Sequence, residues 1–209
     1  MSTAPPPGTR ATLSTAGRGA VEATARLLAD LGHEVHEAEV DYGLASLWNG
    51  TVRLLKGAQA DVASTPRRLR LERRTRRVAT LARLLPPRSL TRARRREAAI
   101  AASINTVFEH ADLVLTPLCG TPAPLVDDCP STGALRSLRA ANTSAWLAPW
   151  NVIGQPAVSV PVGLDDDGMP LAVQLAGRPR DETTLLQVAA QIEAHQPFPR
   201  WSPLKAHRS

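Results

Sequence analysis

Residues 151–177 read NVIGQPAVSVPVGLDDDGMPLAVQLAG, and this stretch decides the fold. Valines recur at every second position of residues 158–162, and apolar side chains alternate again in residues 171–175. Apolar side chains at every second residue are the pattern of a half-buried strand. The Asp-Gly pair at residues 167–168 suits a tight turn. The stretch therefore predicts two strands joined as a hairpin.

A helix is expected directly after this hairpin. Asp181 can accept hydrogen bonds from the free backbone N–H groups at a helix start. The apolar side chains that follow are spaced to share one helical face: they are Leu185, Val188, Ala189 and Ile192. The order strand, turn, strand and helix is what periodicity alone indicates.

The same residues resemble the C-terminal end of the amidase signature family. The match comprises Asn151, GQPA at 154–157, SVPVG at 159–163, GMP at 168–170, VQL at 173–175, GR at 177–178, DE at 181–182 and LL at 185–186. The resemblance implies an α/β fold, a mixed sheet covered by helices, of which this chain is the C-terminal portion. It also implies hydrolysis of carboxamides.

The resemblance extends over most of the chain. Residues 29–35 are similar to a helix-to-strand passage of the family, and residues 108–124 are similar to its strand followed by a Thr-Pro turn. We expect a disordered lead-in at 1–17, a partial amidase domain at 18–196 and a tail at 197–209.

The remaining elements are predicted from apolar spacing and from Pro and Gly positions. Helices are expected at 20–31, 44–62, 66–85, 89–110 and 138–149, strands at 35–40 and 112–116, and a surface loop at 118–137. Trp146 and Trp150 are expected in the core.

Composition favours a soluble globular protein without a metal or cofactor. Hydrophobic residues make up 43% and charged residues 21% of the 209-residue chain, and no apolar run is long enough to span a membrane. Residues 1–9 lack the basic start and apolar core of a secretory signal, so a cytoplasmic location is expected. Cys119 and Cys129 fit no zinc spacing, and the histidines are scattered.

An arginine-rich stretch runs from Arg67 to Arg96. It holds thirteen arginines and one acidic residue, Glu72, in a chain whose net charge is +6. Clustered arginines can bind nucleic acid or an acidic partner through phosphates or carboxylates. The simpler interpretation, which we favour, is that they are solvated outer faces of helices, because few aromatic residues accompany them.

The catalytic residues that the resemblance implies are missing from this chain. Family members use a nucleophilic serine, a second serine and a lysine, carried by a lysine-bearing strand and a Gly-Gly-Ser-Ser-Gly-Gly type loop in the N-terminal half. This chain has no Ser-Ser or Gly-Gly dipeptide, and its only lysines are Lys56 and Lys205. A Ser-His-Asp arrangement around Ser159 is disfavoured, because this serine lies within a predicted strand and lacks the exposed turn of a nucleophile.

We therefore expect the C-terminal part of an amidase-type hydrolase acting on carbon–nitrogen amide bonds, inactive alone. It is either one half of a split enzyme, completed by a partner chain, or a truncated product. Thr116, Pro117 and Asn151 are candidates for the wall of a substrate pocket, since polar groups at strand ends can approach a small-molecule amide. The alternatives are a non-catalytic interaction module that uses Arg67 to Arg96, and an aminoacyl-tRNA amidotransferase-type subunit.

Overall fold

A computed structural model describes residues 1–123 and 143–198, which form a three-stranded sheet with helices against both faces. The helices are α1 (Thr15–Asp30), α2 (Gly43–Ser64), α3 (Arg73–Leu81), α4 (Ser89–Asn105), α5 (Ala148–Ile153) and α6 (Glu182–His195). The strands are β1 (Leu113–Pro117), β2 (Ala157–Leu164) and β3 (Pro170–Gly177), and short 3-10 turns occupy Arg68–Arg70, Ala82–Leu84 and Thr106–Glu109.

The predicted hairpin is confirmed as β2 and β3, and the sheet order is β1-β3-β2 with antiparallel pairing throughout. The Asp165 side chain builds the turn, because its Oδ1 accepts from the backbone N–H groups of Asp167 and Met169 at 3.1 and 2.8 Å. Gly168 takes a positive φ of 76° in this turn, a conformation that glycine adopts without a Cβ penalty. β1 then adds to β3 from a distant part of the sequence.

Two apolar clusters hold the sheet. On one side, which we call the valine face, Leu115, Val160 and Val173 pack with α1 and α6. On the opposite side, the tryptophan face, Val114 and Ala176 pack with Trp150 and with apolar residues of α4. The structure confirms that Trp146 and Trp150 are core residues, since both are almost fully buried.

The helix predicted after the hairpin is confirmed as α6. Asp181 caps it, accepting from the Thr184 backbone N–H at 3.3 Å and from the Thr184 hydroxyl at 2.8 Å. Leu185, Val188 and Ile192 are its buried face, which closes the valine face of the sheet.

Several sequence expectations need correction. No strand forms at residues 35–40. Among the described residues, this segment pairs through its backbone with Met1 and not with a full neighbouring strand. The helix expected at 66–85 is interrupted at Leu71, whose backbone is extended. Helix α4 ends at Asn105, and a 3-10 turn replaces the rest of the helix expected up to residue 110.

The start of the chain is placed differently from the expected disordered lead-in. Ser2 is buried and donates its backbone N–H to the Leu115 carbonyl oxygen at 2.9 Å. The Trp146 indole N–H donates to the Ala4 carbonyl oxygen at 3.1 Å, and Ser14 caps α1. The domain boundaries at 18 and 196 stay predictions.

Most of the loop expected at 118–137, the first five residues of the helix expected at 138–149 and most of the tail at 197–209 lie outside the described residues. Within the described part, Thr143 is helical, residues 144–147 form a turn and α5 begins at Ala148. Gly154 caps the end of α5 with a positive φ of 66°.

Candidate functional site

The three predicted pocket-wall residues occupy two different elements. Thr116 and Pro117 end β1, and both are buried. Asn151 lies on α5, where its side chain is exposed. The structure thus places Thr116 and Pro117 side by side in the sheet and Asn151 on the helix that covers the tryptophan face. Their assignment to a substrate pocket stays a prediction.

A polar row crosses the sheet at the level of Thr116. Strand register places Thr116 opposite Gln174 and Gln174 opposite Ser159, and residues that pair across strands project from the same face. These three residues, the polar row, share the tryptophan face with Val114 and Ala176. The row runs from the buried strand β1 to Ser159, which is exposed on the edge strand β2.

Two atoms of this row are buried without partners among the described residues. They are the Thr116 hydroxyl oxygen and the Gln174 side-chain nitrogen. A buried polar atom without a hydrogen bond costs about 1–3 kcal/mol, so such atoms are expected where another group completes the site. The pocket-wall candidates from sequence did not include Gln174, although a glutamine between Val173 and Leu175 in a predicted strand was a usable signal.

Aromatic side chains support the sheet beside the polar row. The Tyr42 and Trp150 ring centroids are 6.0 Å apart in an edge-to-face arrangement, and those of Phe108 and Trp150 are 6.2 Å apart. Burial raises the pKa of the Tyr42 hydroxyl well above its ordinary value. The Tyr42 hydroxyl and the Trp150 indole nitrogen have no partner among the described residues.

Lys56 is engaged in a structural role. Its Nζ donates to the Ala82 and Leu85 carbonyl oxygens at 2.9 and 3.1 Å and to the Gln59 side-chain oxygen at 3.3 Å. These contacts use the three donors of an ammonium group and tie α2 to the turn after α3. No serine is among its partners.

Among the described residues, no hydrogen bond joins the Ser159 side chain to a histidine. Ser159 projects from the tryptophan face, opposite to α6. The His33 ring is hydrogen-bonded to the side-chain oxygen of Gln191 on α6 at 2.8 Å, and the His195 ring is hydrogen-bonded to the backbone carbonyl oxygen of Gln191 at 2.9 Å. The sheet separates Ser159 from these imidazoles, which supports the expectation from its position in a strand.

In the described ranges, no group of His, Cys, Asp or Glu side chains is arranged to hold a metal ion. Among the same residues, no helix has the length and apolar character needed to cross a membrane. Cys119 is a free thiol, and Cys129 lies outside the described residues.

The arginine-rich stretch forms an outer surface. Nearly all arginines from Arg67 to Arg96 are exposed, and the buried residues of this region are small, with Ala79 and Ala82 facing α2. Leu69 and Leu84 are exposed beside them. This placement fits the solvated-face interpretation.

Comparison with known proteins identifies the family. The amidase family profile matches residues 6–186. The chain belongs to the amidase family. Over 185 residues it is 36% identical to the Mycobacterium tuberculosis protein named "Putative amidase AmiB2". The aligned region covers 88% of this chain and 40% of that protein.

Solved structures of this family share the fold. The substrate complex of 6-aminohexanoate cyclic dimer hydrolase matches with a TM-score of 0.80 and 23% identity, over 94% of this chain and 45% of that one. A bacterial aryl acylamidase of the amidase signature family matches with a TM-score of 0.74 and 16% identity, over 100% of this chain and 46% of that one. The amidase chain described here thus spans less than half the length of these relatives.

Proposed function

We propose that this chain is the C-terminal part of a hydrolase that cleaves carbon–nitrogen amide bonds, and that it is inactive until another polypeptide supplies the catalytic serines and lysine. Its own contribution is the sheet and one wall of the substrate pocket. A small carboxamide is the substrate class that the family relationship supports.

The hydrogen bonds of the Lys56 ammonium group are the main support for this proposal. A lysine that acts as a general base must present a free lone pair to the proton it removes. The Lys56 nitrogen instead faces three oxygen acceptors and no serine. Because Lys205 is the only other lysine in the chain and lies in the C-terminal tail, we infer that the base comes from elsewhere.

The exposed apolar side chains of α2 support the inference that another polypeptide binds this chain. Trp48 is 57% exposed and Leu44 and Leu54 are each 68% exposed. Contiguous apolar surface on a soluble protein often marks an interface. We infer that the complementing polypeptide covers part of this helix.

The polar row fits the role of a pocket wall. Thr116 and Gln174 hold buried polar atoms that lack partners among the described residues, and Ser159 opens the row to solvent. We propose that Thr116 faces the substrate once the pocket is complete, that Pro117 shapes this wall as the last residue of β1, and that Asn151 lies at the rim of the pocket.

Complementation tests this function. The chain is co-expressed with the part of AmiB2 that it does not match, and release of ammonia from simple carboxamides is measured. We expect hydrolysis by the complex, and we expect Lys56→Met to lower its thermal stability but leave kcat within about threefold, because Lys56 acts structurally. A purified complex without hydrolysis, or loss of kcat in Lys56→Met, would refute the proposal.

A further inference from the structure

A strong positive charge lies on α3 and on the two 3-10 turns that flank it. Residues 67–84, which we call the α3 surface, hold eight arginines and one acidic residue, Glu72. Eight positive charges against one negative charge give +7, which exceeds the +6 of the whole chain. All of these arginines except the half-buried Arg76 are exposed. The positive charge of the chain is therefore concentrated on one short segment of its surface.

Three leucines of the α3 surface also face outward. Leu69 in the first turn is 86% exposed, Leu84 in the second turn is 81% exposed, and Leu81 at the end of α3 is 44% exposed. The buried residues of the segment are the smaller Ala79 and Ala82, which face α2. Burying a leucine removes more apolar area from water than burying an alanine. Solvation thus accounts for the exposed arginines, but packing does not account for the exposed leucines.

The leucines and the arginines of the α3 surface lie next to each other. Leu69 lies between two arginines in the chain, and Leu84 directly follows another. Leu81 comes seven residues after Arg74, which is about two helical turns, so both side chains project from the face of α3 that is opposite to Ala79. The segment therefore presents cationic and apolar groups together.

A lipid bilayer with anionic headgroups matches both features of this surface. Guanidinium groups bind phosphates through pairs of N–H donors, and anionic lipids attract basic segments. Leucines that enter the boundary between headgroups and acyl chains leave water. Helix α3 has nine residues and is about 14 Å long, so leucines near both of its ends would hold it parallel to the membrane plane.

Nucleic acid matches only the charge of the α3 surface. Its phosphates would attract the same arginines, but residues 67–84 contain no aromatic side chain that could stack on a base. A phosphate backbone also offers no apolar layer in which the leucines could leave water. The leucines therefore favour a membrane over other polyanions.

We propose that the α3 surface binds the headgroup layer of an anionic membrane. The arginines contact the lipid phosphates, and Leu69, Leu81 and Leu84 enter the boundary of the acyl chains. This binding holds the chain at the surface of the bilayer without crossing it. It is a property separate from amide hydrolysis and does not depend on the proposed function.

Vesicle flotation tests the proposal on the full chain. The vesicles contain equal parts of phosphatidylcholine and phosphatidylglycerol, and vesicles of phosphatidylcholine alone are the neutral control. We expect the chain to float with the anionic vesicles and not with the neutral ones. Raising the ionic strength from about 0.1 M to about 0.5 M should weaken binding, because salt screens the attraction between exposed charges.

Arginine variants measure the electrostatic part of the binding. We expect Arg73→Gln with Arg74→Gln to weaken binding to anionic vesicles at least about tenfold, since each arginine near an anionic surface contributes about fivefold. The matched control is Arg26→Gln with Arg180→Gln, which removes the same charge from exposed positions outside the α3 surface. The control should weaken binding by less than about twofold.

Leucine variants separate a membrane from other polyanions. Leu69→Ser with Leu84→Ser keeps the charge and should weaken vesicle binding about tenfold, because less apolar area leaves water. The matched control is Leu54→Ser with Leu186→Ser, which changes leucines of comparable exposure on α2 and α6. The control should change binding by less than about twofold. Circular dichroism checks that each variant is folded like the wild type.

Four results would overturn the membrane assignment. They are no flotation of the folded wild-type chain with anionic vesicles, equal flotation with neutral vesicles, equal losses in the control variants, and loss of binding in the arginine variant but not in the leucine variant. The last result would show a general phosphate-binding surface, such as one for nucleic acid.

The membrane proposal and the proposed function can fail separately. Ammonia release from a small soluble carboxamide by the complemented complex is measured without vesicles. Hydrolysis without vesicle binding refutes the membrane assignment alone, and vesicle binding without hydrolysis refutes the proposed function alone.

Discussion

Tyr42 shows how single residues on the tryptophan face are placed for packing rather than for hydrogen bonding. Its ring packs edge-to-face on Trp150, while its hydroxyl is buried without a partner among the described residues. Removing an unsatisfied hydroxyl keeps the ring contact and avoids the desolvation cost. We expect Tyr42→Phe to leave the free energy of unfolding unchanged or to raise it by up to about 1 kcal/mol, measured by urea denaturation.

The pKa of Tyr42 adds a pH dependence to the same experiment. Burial raises this pKa in the folded state, so the unfolded chain releases the proton first as the pH rises. The stabilising contribution is complete below the unfolded pKa of about 10 and is lost above it. Wild-type stability should therefore fall more steeply above that pH than the stability of Tyr42→Phe, and parallel curves would contradict this explanation.

Gly120 occupies a position where a side chain does not fit. A Cβ there would overlap the Thr12 carbonyl oxygen and lie 2.8 Å from the Trp146 ring. We expect Gly120→Ala to destabilise the fold by about 1–3 kcal/mol through overpacking, as measured by thermal denaturation. Gly57→Ala is the control, because its Cβ meets nothing within 4 Å in the middle of α2. That change should be neutral or stabilise by about 0.5–1 kcal/mol.

At the scale of elements, α6 depends on its cap. Asp181 accepts two hydrogen bonds from Thr184, and replacing such a cap with alanine costs about 1 kcal/mol. We expect that loss for Asp181→Ala in urea denaturation. Asp166→Ala, in the exposed hairpin turn, should change stability by less than about 0.5 kcal/mol. Equal effects of the two substitutions would show that the cap contributes nothing specific.

The elements also show what the sequence could predict. The hairpin and α6 were predictable because period two, an Asp-Gly turn and a capping Asp all act locally. The helix expected at 66–85 breaks at Leu71, where arginines outnumber the apolar residues that could anchor a helix on α2. Residues 35–40 have strand composition but no full neighbouring strand to pair with, and pairing is not a local property.

The candidate site was harder to predict from the sequence than the fold was. Thr116 was proposed from its place at a strand end, and the structure puts it in the sheet. Its neighbour Gln174 depends on the register of β1 against β3, which joins segments about sixty residues apart, and Ser159 follows from the register of the hairpin. Sequence periodicity gives the face of each strand but not this register.

At the scale of the whole molecule, the exposed apolar side chains of α2 have no cover among the described residues. Unpaired strand edges and apolar patches promote association. We expect the isolated chain to form larger species as its concentration rises, as measured by sedimentation velocity, and to unfold at a low temperature. A monomer that unfolds in one cooperative transition over the whole concentration range would contradict this expectation.

The central claim is that this amidase chain builds the sheet and a pocket wall but not the catalytic groups. The most direct measurement is the initial rate of ammonia release from simple carboxamides by the purified chain, compared with buffer and with the complemented complex. The claim predicts no release above buffer by the chain alone and release by the complex. Turnover by the chain alone that disappears in Ser159→Ala would contradict it.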